Sequence, residues 1–344
     1  MVWEIKELTE LRGYTVEWAE PGNFYLSRRD QIFYSETLTE PFVWLARVNA
    51  PAWKRAASNF RLAQRLLRYM VTNVVDLGDG EIFVTFDKSA GVIRNGKFAL
   101  LKGMARPCRV LRFGCAADAE GNVFFGEYLA NAERGEMRIY RFRKGSDTVE
   151  VVYTFPSNSV RHIHGIYFDE FSRSLFCLTG DADSECRILR TYDGYKNVEI
   201  VGEGDESWRA VSILFDQQNF FYGTDAEYKS NELFSVDRET LDRTTIGSVN
   251  GTVFYSKKLG DDLFFATTAE NAPSQEENVA SLWHVDRDRN CEKLASFPKD
   301  LWHPALFMFG TIHFPYKNAF DDRLFFSLVG VKGDNRTFCV EKRR

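Results

Sequence analysis

Two histidines, His162 and His164, stand two residues apart in the string RHIHGIY, and the chain has only five histidines in all. On a β-strand, residues i and i+2 point to the same side, so such a pair presents two imidazoles together. Arg161 precedes the pair, and Gly180-Asp181-Ala182-Asp183 follows at the end of the next strand-like run. The arrangement repeats downstream, with Trp208 and Arg209 leading into a strand and Gly223-Thr224-Asp225-Ala226-Glu227-Tyr228 and Asn231 closing its partner. Corresponding positions elsewhere carry Glu127 and Tyr128 in FFGEY, Glu270, then Trp302 and His303, with His313 in the strand after them.

This set of residue types suits a saccharide, in particular an acidic one. Aromatic rings stack on sugar faces, arginine pairs bidentately with a carboxylate, and His or Asp moves a proton. In a lyase, Arg209 would neutralise a uronate carboxylate and make the C5 proton more acidic. One of His162, His164 or Tyr228 would remove that proton, and an acid would assist the leaving oxygen. A glycoside hydrolase needs two carboxylates, ~5–5.5 Å apart for retention or ~6.5–9.5 Å for inversion. Glu127, Asp181, Asp225 and Glu227 are the pool for that chemistry. A divalent metal is the third reading, through His162, His164 and His303 or His313 together with Asp181. Substrate contacts would come from Glu127, Tyr128, Arg161, Asp183, Trp208, Asp225, Glu227, Asn231, Glu270, His303 and His313. Each residue also has a plainer role open to it. Asp and Asn cap turns, an inner-strand His bonds backbone, and Trp packs between sheets. A non-catalytic platform that binds a glycan or a protein stands as the alternative from another class.

Residues so far apart in sequence converge only if the chain repeats. One pattern recurs: an alternating apolar strand, a turn, a second strand ending in a small or acidic residue, a variable loop, then a third strand. With Leu45, Val92, Ile139, Ile188, Leu233, Leu282 and Phe338 taken as third-strand anchors, the gaps are 47, 47, 49, 45, 49 and 56 residues. A four-stranded propeller blade needs about 40–50 residues. The sequence therefore predicts an all-β fold, a seven-bladed β-propeller formed by residues 1–344 as one domain. The last third strand, Thr337–Glu341, runs almost to the final residue, while Val2–Leu8 and Tyr14–Trp18 look strand-like. We therefore expect an N-terminal strand to close the last blade, which also removes a free sheet edge. One segment departs from the pattern. Residues 52–70 have helical periodicity, with Phe60, Leu62, Leu66, Leu67 and Met70 broadly on one side and Lys54, Arg55, Arg61, Arg65 and Arg68 elsewhere, so a short basic helix is expected there.

Bulk properties narrow the function. The 30 Phe and 14 Tyr favour strands over helices. With 44 basic and 49 acidic residues interspersed, no basic field exists to draw nucleic acid. No apolar run approaches the ~20 residues that span a bilayer. The first residues lack a basic and then apolar leader, so a cytoplasmic location is expected. Six cysteines without a CxxC pair read as reduced core thiols. No GxGxxG, GxxxxGK[ST] or GxSxG string appears, which leaves nucleotide-dependent and α/β-hydrolase chemistry without support. The expected ligand is a small molecule or an oligosaccharide, and nothing indicates an oligomeric state.

The string Thr191-Tyr192-Asp193-Gly194-Tyr195-Lys196-Asn197-Val198 resembles the hairpin signature S/T-x-D-x-G-x-T-W of BNR/Asp-box propellers, with Tyr195, Asn197 and Val198 replacing motif residues. From about Phe113 to Asp334 the chain resembles this sialidase-like, glycosidase-like family, through FGEY, RHIHGIYFDE, TGDAD, WRAVSILF, YGTDAE and FGTIHFP. The resemblance implies a propeller and carbohydrate-directed activity. Of the arginine triad with which sialidases hold a carboxylate, Arg161 and Arg209 are candidates and no third is assigned.

Overall fold

The computed structural model describes residues 2–343. Seven sheets follow one another around a central channel, antiparallel but for the two-residue strand Lys317–Asn318 that lies parallel to Thr15–Glu20, and the expected seven-bladed propeller is what forms. In every blade the second strand carries a buried phenylalanine: Phe24, Phe83, Phe125, Phe176, Phe221, Phe265 and Phe326. Blades pack face to face, so these strands are covered on both sides and read as continuous apolar runs. Glu81–Phe86 and Ser174–Gly180 are buried at every position. The fourth strands are more open to solvent, as in Val149–Phe155, where only the two end residues are buried. Burying one such ring contributes about 1.5–3 kcal/mol, so the phenylalanine repeat stabilises the packing of every blade.

The seventh blade takes its outer strand from the other end of the chain. Trp3–Glu7 pairs antiparallel with Thr337–Lys342, with Ile5 opposite Val340. The Trp3 ring meets Phe264 edge-on at 5.0 Å, which ties the closing strand to the sixth blade. Tyr14–Trp18 has a different place from the one expected: Thr15–Glu20 is the first blade's own first strand, between Asn23–Arg28 and the short Lys317–Asn318. Leu45 is likewise corrected. It lies on the outer strand Val43–Arg47, and the first blade's third strand is Gln31–Ser35. From Phe33 to Val92 the repeat is 92 − 33 = 59 residues, lengthened by the helical insertion.

That insertion is two short helices, Ala52–Ala57 and Arg61–Leu66, rather than one. Arg29 holds the break, donating to Ser58 Oγ at 3.0 Å, Asn59 Oδ1 at 2.6 Å and the Arg55 carbonyl at 2.7 Å. The amphipathic reading holds in part: Leu62, Leu67 and Met70 are half-buried, and three other residues depart from it. Phe60 and Leu66 are exposed, whereas Arg65 is buried against Asp300 and the Phe307 carbonyl. Arg61 adds a bidentate pair with Asp334, both bonds at 2.8 Å. Ion pairing to the loops of the seventh blade decides which face turns inward. All six cysteines are free thiols, and all but Cys291 are buried. Among the described residues no helix is long and apolar enough to cross a membrane.

Candidate functional site

Glycines set the geometry at the channel mouth. The second strands of the third, fourth and fifth blades end in Gly126-Glu127, Gly180-Asp181 and Gly223-Thr224-Asp225. A Cβ on Gly126 would lie 2.3 Å from Ile163, and one on Gly223 would lie 2.6 Å from Val253. Each glycine thus lets the next blade's first strand cross its neighbour at van der Waals distance. At Gly180 the atoms that occupy this space are Arg209 Cγ at 2.8 Å and His164 Cε1 at 3.0 Å from such a Cβ. His162 pairs with Gly180 across the ladder, and the register shifts between Ile163 and Gly165. The bulge falls at His164, and the His162 and His164 ring centroids are 5.2 Å apart.

These side chains line a cavity of about 390 Å³. At its centre is Asp181, with φ +118, a backbone conformation that L residues seldom adopt and that concentrates at functional sites. Its carboxylate meets Arg161 at 3.2 Å, Arg209 at 3.4 Å, His162 Nε2 at 3.4 Å and His164 Nε2 at 3.8 Å. Burial opposes its ionisation, but hydrogen bonding from His162 and His164 outweighs this and holds the carboxyl well below the usual range. Burial lowers His162, which keeps that imidazole neutral. Arg209 also donates to Asp225 at 3.0 Å. Burial pushes Asp225 up to about 7 against the pull of Arg209. Glu270, which accepts from the Thr252 and Thr268 hydroxyls, is raised by burial as well. Tyr128, packed on His162 at 4.3 Å between ring centroids, is pushed up to about 12 by burial. The site thus combines a carboxylate held down, Asp181, with two that burial raises, Asp225 to about 7 and Glu270 in the same direction.

Of the residues singled out in the sequence, the cavity gathers His162, His164, Asp181, Arg209, Tyr128, Arg161, Asp225, Glu227 and Glu270. The others lie elsewhere. Tyr228 is 72% exposed and is outside the lining, so the fold does not bring it to the histidines as a base. Glu127 is fully buried and taken up by Arg106 at 2.6 Å, Tyr140 at 2.7 Å and the Arg138 amide at 3.0 Å. Trp208 packs between blades, its ring over Gly202 and under the Arg243 guanidinium at 4.2 Å. Asn231 braces the loop at Ala226 through both its amide atoms. Asp183 is exposed on a short 3-10 turn, Asp183–Glu185. His303 caps the short helix Pro304–Phe307 by accepting from the Ala305 amide, so it is no partner for the histidine pair. His313 is buried, bonded to Thr311 at 2.9 Å, and lines adjoining cavities instead.

Sequence reading missed Thr252, Phe254 and Phe309, which also line the cavity. Thr252 was findable, because it precedes the sixth blade's first strand just as Arg209 precedes the fifth's. Glu206 was missed too. Buried, it accepts the amides of Glu227, Tyr228 and Lys229, each at 3.2 Å, and so fixes the loop after Asp225. The Asp-box-like string forms a tight turn in which Asp193 accepts from the Lys196 and Asn197 amides. The same D-x-x-x-N turn recurs at Asp118–Asn122 and Asp286–Asn290.

The chain matches no protein-family model and no curated relative. Solved structures share its fold. Oligogalacturonate lyase in complex with manganese superposes with a TM-score of 0.63 at 10% identity, over 99% of this chain and 93% of that one. An extracellular domain assigned to a hybrid two-component system of B. thetaiotaomicron gives 0.62 at 11% identity over 100% of this chain, which spans only 40% of that structure's length. An ancestral GH74 enzyme gives 0.59 at 12% identity, over 95% of this chain and 46% of that one. At these identities the likeness establishes the propeller fold.

Proposed function

We propose that this propeller is a carbohydrate-active enzyme, a lyase that cleaves an acidic saccharide by β-elimination with a divalent cation held by His162, His164 and Asp181. The observation that carries the proposal is the meeting of these side chains. Their ligand atoms all lie within 4.8 Å of one another. His164 Nδ1 sits 2.9 Å from the Ala210 carbonyl, and an N–H donated there is the usual orienting bond of a metal-binding imidazole. A cation between Nε2 and the Asp181 carboxylate would take the place of the hydrogen bonding by which His164 holds that carboxyl down. Imidazole with carboxylate suits manganese, zinc and related ions. The manganese-bound lyase among the structures that share this fold supports the same reading.

When bound, the cation would supply Lewis acidity to the substrate carboxylate. Arg209 and Arg161 would turn part of their hydrogen bonding to that carboxylate and offset the charge that builds as the C5–H bond breaks. Asp225, poised near 7, would accept the C5 proton. The C5–H electron pair becomes the C4=C5 double bond, the C4–O bond breaks, and Glu270 gives the leaving oxygen its proton. The cavity, at about 390 Å³, takes one to two sugar units.

Incubation with manganese and oligogalacturonate tests this through the ultraviolet absorbance of the conjugated C4=C5 product. We expect absorbance that chelator removes, and at least a ~100-fold loss in His162→Gln and Asp181→Asn at unchanged melting temperature. No product from uronate oligomers, with metal demonstrably bound, would overturn the lyase. A non-catalytic glycan-binding propeller is the second reading. It is favoured by the mutual pairing of Asp181, Asp225, Arg161 and Arg209, and it predicts uronate binding without turnover.

A further inference from the structure

A second cavity, of about 120 Å³, adjoins the candidate site and shares Leu111, Tyr128, Phe254 and Phe309 with it. We infer that this cavity is an anion subsite, built by Arg68 and Arg109, that receives a second acidic group of the substrate chain; the assignment of that group to a saccharide rests on the reading above.

The inserted helix Arg61–Leu66 ends in a left-handed turn, with φ +51 at Arg68. The Tyr69 amide reaches back to the Gln64 carbonyl at 2.8 Å and locks this turn. An arginine in this conformation is unusual, and its effect is to carry the side chain off the helix and into the cavity wall. There the guanidinium forms no hydrogen bond and no ion pair among the described residues. Its charged neighbour is Arg109, of like sign, and burial together with that repulsion lowers Arg68 from its ordinary value.

The other charges facing the cavity are accounted for. Arg112 is neutralised by Glu17, with bonds of 2.8 and 3.2 Å. Asp87, the carboxylate in the lining, is shared between Lys54 at 2.7 Å and Arg109 at 3.4 Å. Arg68 is therefore left as a half-buried cation with nothing to offset it. Such a charge is costly, and an arriving anion removes the cost. The planar guanidinium fork fits carboxylate, sulfate or phosphate. The wall also carries four aromatic rings, Tyr128, Phe254, Tyr255 and Phe309, whose faces suit a sugar ring. A ligand crossing Tyr128 would place one acid group at Arg161 and Arg209 and the next at Arg68 and Arg109. The substrate class is thus an oligosaccharide acidic at more than one residue.

Isothermal titration of the full chain separates the two claims. Inorganic sulfate should bind the wild type, bind at least ~10-fold more weakly to Arg68→Ala, and recover partly in Arg68→Lys. Arg68→Gly, which accepts the left-handed backbone, guards against a folding artefact and should match the alanine variant. Trigalacturonate should bind the wild type more tightly than galacturonate, and Arg68→Ala and Arg109→Ala should erase that preference while leaving the monomer's affinity unchanged. Unaltered sulfate affinity, or an unaltered trimer preference, in Arg68→Ala would overturn the subsite. Sulfate binding lost in Arg68→Ala with no uronate bound by any variant would keep the anion subsite and overturn the saccharide reading.

Discussion

Asp225 and Asp181 belong to the same cavity and answer to opposite forces. Asp181 is held ionised by the histidines and arginines around it, while burial keeps Asp225 protonated up to about 7. This separation divides the labour between a ligand and a proton acceptor. It also has a stability consequence. A carboxyl raised above its unfolded value contributes stability that is full below about 4 and is lost as pH rises through about 7. Asp225→Asn should therefore equal the wild type in urea below about pH 4 and exceed it above about pH 7. In turnover, kcat/KM of the wild type should climb through about 7 and level off, and Asp225→Asn should abolish that limb. A wild-type profile flat across this range would show that another group takes the proton.

At the level of elements, glycine at a strand end decides what the neighbouring blade presents. Gly180→Ala would put its Cβ 2.8 Å from Arg209 and 3.0 Å from His164, so both must move. We expect metal and uronate affinity to fall about ten-fold or more in calorimetry, with secondary structure intact by circular dichroism. Wild-type affinity would mean the glycine has no positioning role. Glu206 acts on the loop after Asp225 by accepting three amides, and Glu206→Ala should cost about 1–3 kcal/mol in chemical denaturation. The blades, and the glycine-acid strand ends within them, were readable because they repeat, and nine of the sixteen candidate residues line the cavity. Tyr228 was misjudged for a physical reason. Beyond a strand end, a loop turns according to partners such as Glu206, which lie far off in sequence and follow no period. The two helices mislead in the same way, since Arg65 is drawn inward by Asp300 despite its apolar neighbours. Arg68 is invisible to periodicity, because only its left-handed backbone aims it at the cavity.

For the whole molecule, the channel site depends on closure. Trp3–Glu7 supplies the last strand, and Trp3 bonds His284 in the sixth blade through its indole N–H at 3.2 Å. Removing residues 2–8 would bare the edge of Thr337–Lys342 and take away a buried indole, at a cost of about 3–5 kcal/mol. We expect a lower melting temperature and self-association in sedimentation; a monomer of unchanged stability would show that the ring closes without this strand. The buried pair of Arg112 with Glu17 adds a second tie across the channel, between the first blade and the segment leading into the third. Seven short repeats held in this way bring residues from the third to the sixth blade within a few ångströms, and that convergence is what the proposed chemistry requires. Anomalous diffraction from crystals of the full chain soaked with manganese tests this most directly. The account predicts one strong peak bonded to His162 Nε2, His164 Nε2 and Asp181, with Asp181→Asn and His164→Gln removing it. A manganese peak elsewhere, or none at concentrations that saturate binding in solution, would contradict it.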